Sequence, residues 1–159
     1  MSDDFNPELD LMIERHLGAA RANIWKAWST PSLLEKWWAP APWKTKVHTL
    51  ELATGGAFDS EMIGPEGENF RSEGCFLIVE PAHRIIFTDA LSGGFRPNTE
   101  PFMTADITMT DTPDGGTFYI ARAKHANADA RLKHEEMGFE GGWNSCISQL
   151  EDLAKTLEA

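Results

Sequence analysis

Apolar residues change their spacing along this chain at places that mark changes of element. In Asp10 to Leu17, Leu11 and Ile13 share one phase, which predicts a first strand with Arg15 near its end. From Ala19 to Trp28 the spacing is helical, with Ile24, Trp25 and Trp28 on one side. Ser29-Thr30-Pro31-Ser32 interrupts it, and Pro31 or Ser32 suits the start of a second short helix carrying Leu33, Leu34, Trp37 and Trp38. Pro40 and Pro42 end that pair.

Between Lys44 and Lys124 the period becomes two, the pattern of an antiparallel meander. The predicted strands are 44–53, 57–63, 68–79, 83–89, 102–110 and 116–124. Gly55-Gly56, Gly64-Pro65-Glu66-Gly67, Pro81-Ala82, a 91–101 loop and Pro113-Asp114-Gly115-Gly116 separate them. In 102–110, Met103, Ala105, Ile107 and Met109 take one face and Thr104, Asp106 and Thr108 the other. From Asp129 the period returns to 3.6, and Phe139, Trp143, Cys146, Ile147, Leu150, Leu153, Ala154 and Leu157 form a stripe along a helix over 129–158. Gly138, Gly141 and Gly142 weaken its first turns by ~1 kcal/mol each relative to alanine, so a bend is expected near 138–142. The prediction is an α+β domain in which a curved antiparallel sheet of about seven strands wraps a long C-terminal helix, with two short helices after the first strand. An apolar cavity is expected between sheet and helix. Residues 1–9 read as a flexible leader and 10–159 as a single domain.

The 159 residues suit one domain, and 42% hydrophobic with 25% charged residues is ordinary for a globular protein. No apolar stretch reaches the ~20 residues that cross a bilayer, and the acidic opening differs from a secretory signal. Both point to the cytoplasm. The net charge of −11 opposes binding to nucleic acid or to an anionic membrane surface. Cys75 and Cys146 have no partner spacing and read as reduced, packing thiols.

No metal or cofactor motif is present, and His16, His48, His83, His125 and His134 include no HxH or HxxxH pair. His125 shares the phase of Tyr119, Ala121 and Ala123. It either borders space left by the two alanines beneath the helix or caps the strand end with bonds to backbone carbonyls. His134, beside Glu135 and Glu136, reads as a solvated helix face. Trp25, Trp28 and Trp37 are expected to pack the short helices onto the sheet. Trp38 and Trp43, flanking Pro40 and Pro42, suit either a loop or a cavity mouth. Phe95 is a candidate lid or a surface residue. Glu61, Arg71 and Glu73 suit exposed cross-strand pairs; one that pointed inward would be a functional candidate.

The run Ile24-Trp25-Lys26-Ala27-Trp28-Ser29-Thr30-Pro31, then Leu34-Glu35-Lys36-Trp37-Trp38-Ala39-Pro40, resembles the opening of the domain related to activators of the heat-shock chaperone ATPase, in the START-like (SRPBCC) superfamily. Glu51 to Gly55-Gly56, the strand ending Glu80-Pro81, Arg84 to Thr88, His125 and Gly141-Gly142-Trp143 follow in the family's order. Ala53 stands where that family usually has arginine, and Ala20 where it usually has proline. The resemblance implies a helix-grip fold and a hydrophobic cavity. Together with the residue reading, it leads to a cytoplasmic binder of a small apolar or aromatic, lipid-like or polyketide-like ligand, monomeric or homodimeric. The expected wall is Trp38, Trp43, Phe87, Tyr119, His125, Phe139, Trp143 and Ile147, with His125 and Glu61 orienting the guest. Two alternatives stand beside it: a chaperone partner whose ATPase is stimulated, and a cyclase or hydrolase using His125.

Overall fold

The computed structural model describes residues 5–157. Strands β1 (Asp10–Leu17), β2 (Lys44–Leu50), β3 (Ala57–Ile63), β4 (Asn69–Glu80) and β5 (Arg84–Thr88) are joined by β8 (Thr104–Asp111) and β9 (Thr117–Lys124) in one antiparallel sheet, ordered β1-β9-β8-β5-β4-β3-β2. The meander is continuous from β2 to β9, and β1 closes the far edge by pairing with β9 from Asp10↔Lys124 to Leu17↔Thr117. The expected 91–101 loop contains a small hairpin, β6 (Leu91–Ser92) with β7 (Arg96–Pro97).

Two register shifts, between Val47 and Thr49 and between Phe76 and Ile78, interrupt strict alternation. The second matters for the core. Phe76 opposes Phe87 and Val79 opposes Ile85, so the extra residue lets residues three apart on β4 meet partners two apart on β5. Bulges of this kind bend a strand, which suits a sheet that curls around a helix.

The helices are α1 (Arg21–Ser29), α2 (Pro31–Leu34), α3 (Ala128–Glu136) and α4 (Phe139–Thr156). The expected single helix over 129–158 is therefore divided, and its last residue lies outside the described ones. Gly138 has φ +95°, a left-handed conformation that glycine adopts without a Cβ penalty, and it turns the chain between α3 and α4. Asn127 starts α3 by accepting from the Ala130 N–H at 2.8 Å.

The C-terminal half of α4 is docked on the core. Ile147, Leu150 and Ala154 are buried in the core with Leu11, Ile13, Ile24 and Trp28. Arg15 reaches across from β1 to Asn144 Oδ1 at 3.1 Å and Ser148 Oγ at 3.2 Å, and Glu151 Oε2 accepts from the Gly18 N–H at 2.7 Å. Gln149 donates to the carbonyls of Trp37 and Ala39 and accepts from the Ala41 N–H, which ties the end of the tryptophan-rich segment to the helix. Residues 1–4 of the expected leader lie outside the described residues. Residues 6–10 form a hydrogen-bonded turn, with the N–H groups of Leu9 and Asp10 donating to the Asn6 carbonyl.

Candidate functional site

The N-terminal half of α4 stands over the sheet without filling the space beneath it, and a cavity of about 580 Å³ results. Its floor comes from alternate residues of the central strands: Phe58 and Ser60 on β3, Gly74 on β4, Phe87 on β5, Ile107 on β8, and Tyr119 and Ala121 on β9. Phe139, Gly142, Trp143, Cys146 and Ile147 on α4 form the roof. Trp28, Trp37 and Trp38 close one end, and His134 with Phe102 closes another. Near the surface stand Met62, Phe70, Met103 and Met137, of which Phe70 is 61% and Met137 65% exposed.

The deep wall is an aromatic cluster. Trp28 meets Trp37 and Trp38 edge to face at 5.2 and 5.1 Å, and Trp38 meets Phe58 at 5.1 Å. Phe58 stacks on Phe76 at 5.0 Å and contacts Phe87 at 5.1 Å. Edge-to-face pairs at such separations contribute about 0.5–1.5 kcal/mol beyond burial, so this wall is rigid and preformed. Its polar point is Tyr119, whose hydroxyl accepts from Trp28 Nε1–H at 3.0 Å. Burial raises the Tyr119 phenol above its ordinary value, partly offset by that bond, so it stays neutral. Burial likewise pushes the Cys146 thiol up to about 12, which leaves it protonated and unreactive. Its sulfur approaches the Trp38 carbonyl at 3.4 Å.

Of the ten residues singled out from the sequence, Trp38, Phe87, Tyr119, Phe139, Trp143 and Ile147 meet around this space. The other four sit elsewhere. Trp43 stacks on Phe70 at 5.9 Å and so supports the mouth from behind. Glu61 alternates with inward Ser60 and Met62, and its carboxylate points away from the cavity to accept from Asn69 and pair with His48 at 2.8 Å. Those bonds hold it below the usual carboxylate range, the behaviour of a surface pair. Phe95, with φ +62°, is half exposed, lies over Gly55 and does not line the cavity. His125 is behind the wall: its Nδ1 contacts the Leu9 carbonyl at 2.7 Å and its Nε2 meets His134 Nδ1 at 2.9 Å. With both nitrogens occupied by protein groups, His125 has no atom left for acid–base work on a guest.

His134 is the residue the sequence pattern hid. Instead of facing solvent it is 7% exposed and lines the cavity, packed against Phe102 at 4.8 Å and Phe139 at 5.1 Å. Burial, and to a lesser extent neighbouring His125, lowers its pKa to about 4, so it is neutral at pH 7. Helix α3 is polar almost throughout, so its periodicity carries no trace of this inward residue. The two alanines also differ from expectation: Ala121 belongs to the cavity floor, whereas Ala123 is sealed and does not line it.

The family model described as "Activator of Hsp90 ATPase homolog 1-like protein" matches residues 18–155. Among solved structures, a Nitrosomonas europaea protein is 41% identical, covering 96% of this chain and 97% of its own, with a TM-score of 0.91. A Mycobacterium smegmatis protein is 29% identical over 96% of this chain and 94% of its own, with a TM-score of 0.80. An Arthrobacter aurescens protein, 24% identical over 97% and 90%, shares the fold with a TM-score of 0.81. No curated protein matches the sequence.

Proposed function

Since this chain belongs to the Activator of Hsp90 ATPase homolog 1-like family of the START-like superfamily, we propose that it binds a small apolar or aromatic molecule between its sheet and α4. The observation that carries the reading is the cavity itself. Its 580 Å³ lies within the ~300–1,000 Å³ usual for small-molecule sites, and its walls are predominantly aromatic and aliphatic with few polar groups. Among the described residues no lysine or arginine lines that wall. Binding rests on burial of apolar surface, at ~25 cal/mol per Å².

A two-ring aromatic of about twelve heavy atoms, at roughly 0.5 kcal/mol per atom, gains ~6 kcal/mol, a Kd in the tens of micromolar. Optimised ligands that also fill the region of the exposed mouth would bind more tightly. The reading also places the protein in the cytoplasm, which the two separate free thiols, Cys75 and Cys146, support. Among the described residues no helix is long and apolar enough to cross a membrane.

Four of the six tryptophans line the cavity, so intrinsic fluorescence reports on occupancy. Titration with fatty acids, sterols and aromatic polyketides should give a saturable change with at least one class. Flat titrations with all three would refute the proposal.

A further inference from the structure

The pair His125–His134 has a direction built into it. The Leu9 carbonyl offers only lone pairs, so the 2.7 Å contact requires His125 Nδ1 to carry the proton. An imidazole ring with its one proton on Nδ1 carries a lone pair on Nε2, and the 2.9 Å contact to His134 is then closed by His134 Nδ1–H as donor. The proton of neutral His134 is thereby committed to Nδ1. Its Nε2 is left as a bare acceptor, with no hydrogen-bond partner among the described residues, on a ring that lines the cavity. Phe102, Phe139 and Trp143 pack around that ring at 4.8, 5.1 and 5.9 Å and hold its orientation.

We propose that the Leu9–His125–His134 relay fixes a hydrogen-bond acceptor in the cavity wall and thereby selects neutral guests carrying a hydroxyl donor, phenols or alcohols, over ethers and carboxylates. The proposal rests on the binding reading above and adds the chemistry of the guest. An ether of the same shape leaves Nε2 unsatisfied. A carboxylate places a second set of lone pairs against it, and it also meets Asp89, another cavity residue, whose Oδ1 is held by the N–H groups of Phe102 and Met103 at 2.8 and 3.1 Å. His134 is neutral at pH 7, which keeps Nε2 available as an acceptor through the neutral range. In this scheme His125 is a positioning residue. It touches no guest and acts by setting the tautomer of His134.

Three probes of one shape test it by calorimetry at pH 7: 2-naphthol, 2-methoxynaphthalene and 2-naphthoate. The wild-type protein should bind 2-naphthol about tenfold more tightly than the ether, with the carboxylate weakest. In His134→Phe, which keeps an aromatic ring in place, the ether should bind within about threefold of its wild-type affinity and the preference for naphthol should vanish. Long-range 15N–1H spectra give a ligand-free check: His134 should show a protonated Nδ1 and an unprotonated Nε2, and His125→Phe should release that lock. Equal affinities for naphthol and ether in the wild type would overturn the proposal while leaving a binding cavity. So would a naphthol preference that survives in His134→Phe, which would assign the acceptor to Asp89, or an Nε2–H tautomer in the spectra. If none of the three probes binds, the cavity reading itself fails with it.

Discussion

Two adjacent glycines in the first turn of α4 allow the cavity to be closed without disturbing the core. A Cβ built on Gly141 or on Gly142 meets no atom within 4 Å, yet only Gly142 lines the 580 Å³ cavity. Glycine in a helix interior costs ~1 kcal/mol relative to alanine, and leucine is nearly as good as alanine. Positions so close to the N-terminus of the helix recover roughly half of that, so Gly141→Leu and Gly142→Leu should each stabilise the apo protein by about 0.5 kcal/mol. At this chain length that raises Tm by ~1–2 °C. Their effects on binding should separate: the leucine at 142 enters space that a guest would occupy. Losing burial of two or three guest carbons, at ~0.8 kcal/mol each, weakens binding about tenfold to a hundredfold. Gly141→Leu should leave it unchanged. Thermal melts and calorimetry with 2-methoxynaphthalene check both halves. The reasoning is refuted if Gly142→Leu destabilises by more than 1 kcal/mol, because the space would then be occupied, or if both variants bind the probe as the wild type does.

Further outcomes follow from individual contacts. Trp28→Phe removes the buried Nε1–H···Tyr119 hydroxyl bond together with ring volume, and should cost about 2–4 kcal/mol by urea denaturation; a loss below 1 kcal/mol contradicts the packing described. Gly138→Ala forces a side chain into φ +95° with no steric neighbour, so the cost, about 1 kcal/mol, is conformational, and a neutral result would mean that α3 and α4 can join differently. The pKa of His134 is depressed to about 4, so its contribution to stability is complete above its unfolded value near 6.5 and is lost as pH falls towards 4. With the ring bordering a partly wet cavity that loss is about 1–2 kcal/mol, and His134→Phe should flatten the stability–pH curve in this window; an unchanged slope refutes the assignment.

Much of the architecture was legible because it is repeated. Period two in 102–110 puts Ile107 and Met109 on one face, which is the buried one, and the stripe Ile147, Leu150, Ala154 does the same for α4. What escaped the pattern depends on single events. The bulge near Leu77 shifts the phase of β4 within an apolar run, Cys75 to Val79, whose alternation does not mark it. The bend expected near 138–142 is where Gly138 splits the C-terminal helical pattern, but the weak periodicity of α3 could not show that His134 turns inward beside Phe102. Glu61 and His125 were expected to orient a guest, because strand phase alone does not say which face a bulged, curved sheet presents. Their hydrogen bonds to Asn69, His48, Leu9 and His134 decide it. The aromatic wall was half legible: the cluster of tryptophans marked the region, but the inclusion of Trp28 and exclusion of Trp43 follow from three-dimensional packing.

The claim that a guest enters between sheet and α4 is tested most directly by the indole N–H resonances of the six tryptophans during titration with 2-methoxynaphthalene. Trp28, Trp37, Trp38 and Trp143 line the cavity, whereas Trp25 and Trp43 do not. The account predicts saturable shifts at the first four, largest at half-buried Trp38 and Trp143, with Trp25 unmoved. Shifts confined to Trp25 and Trp43, or no saturation up to the solubility limit of the probe, would contradict it.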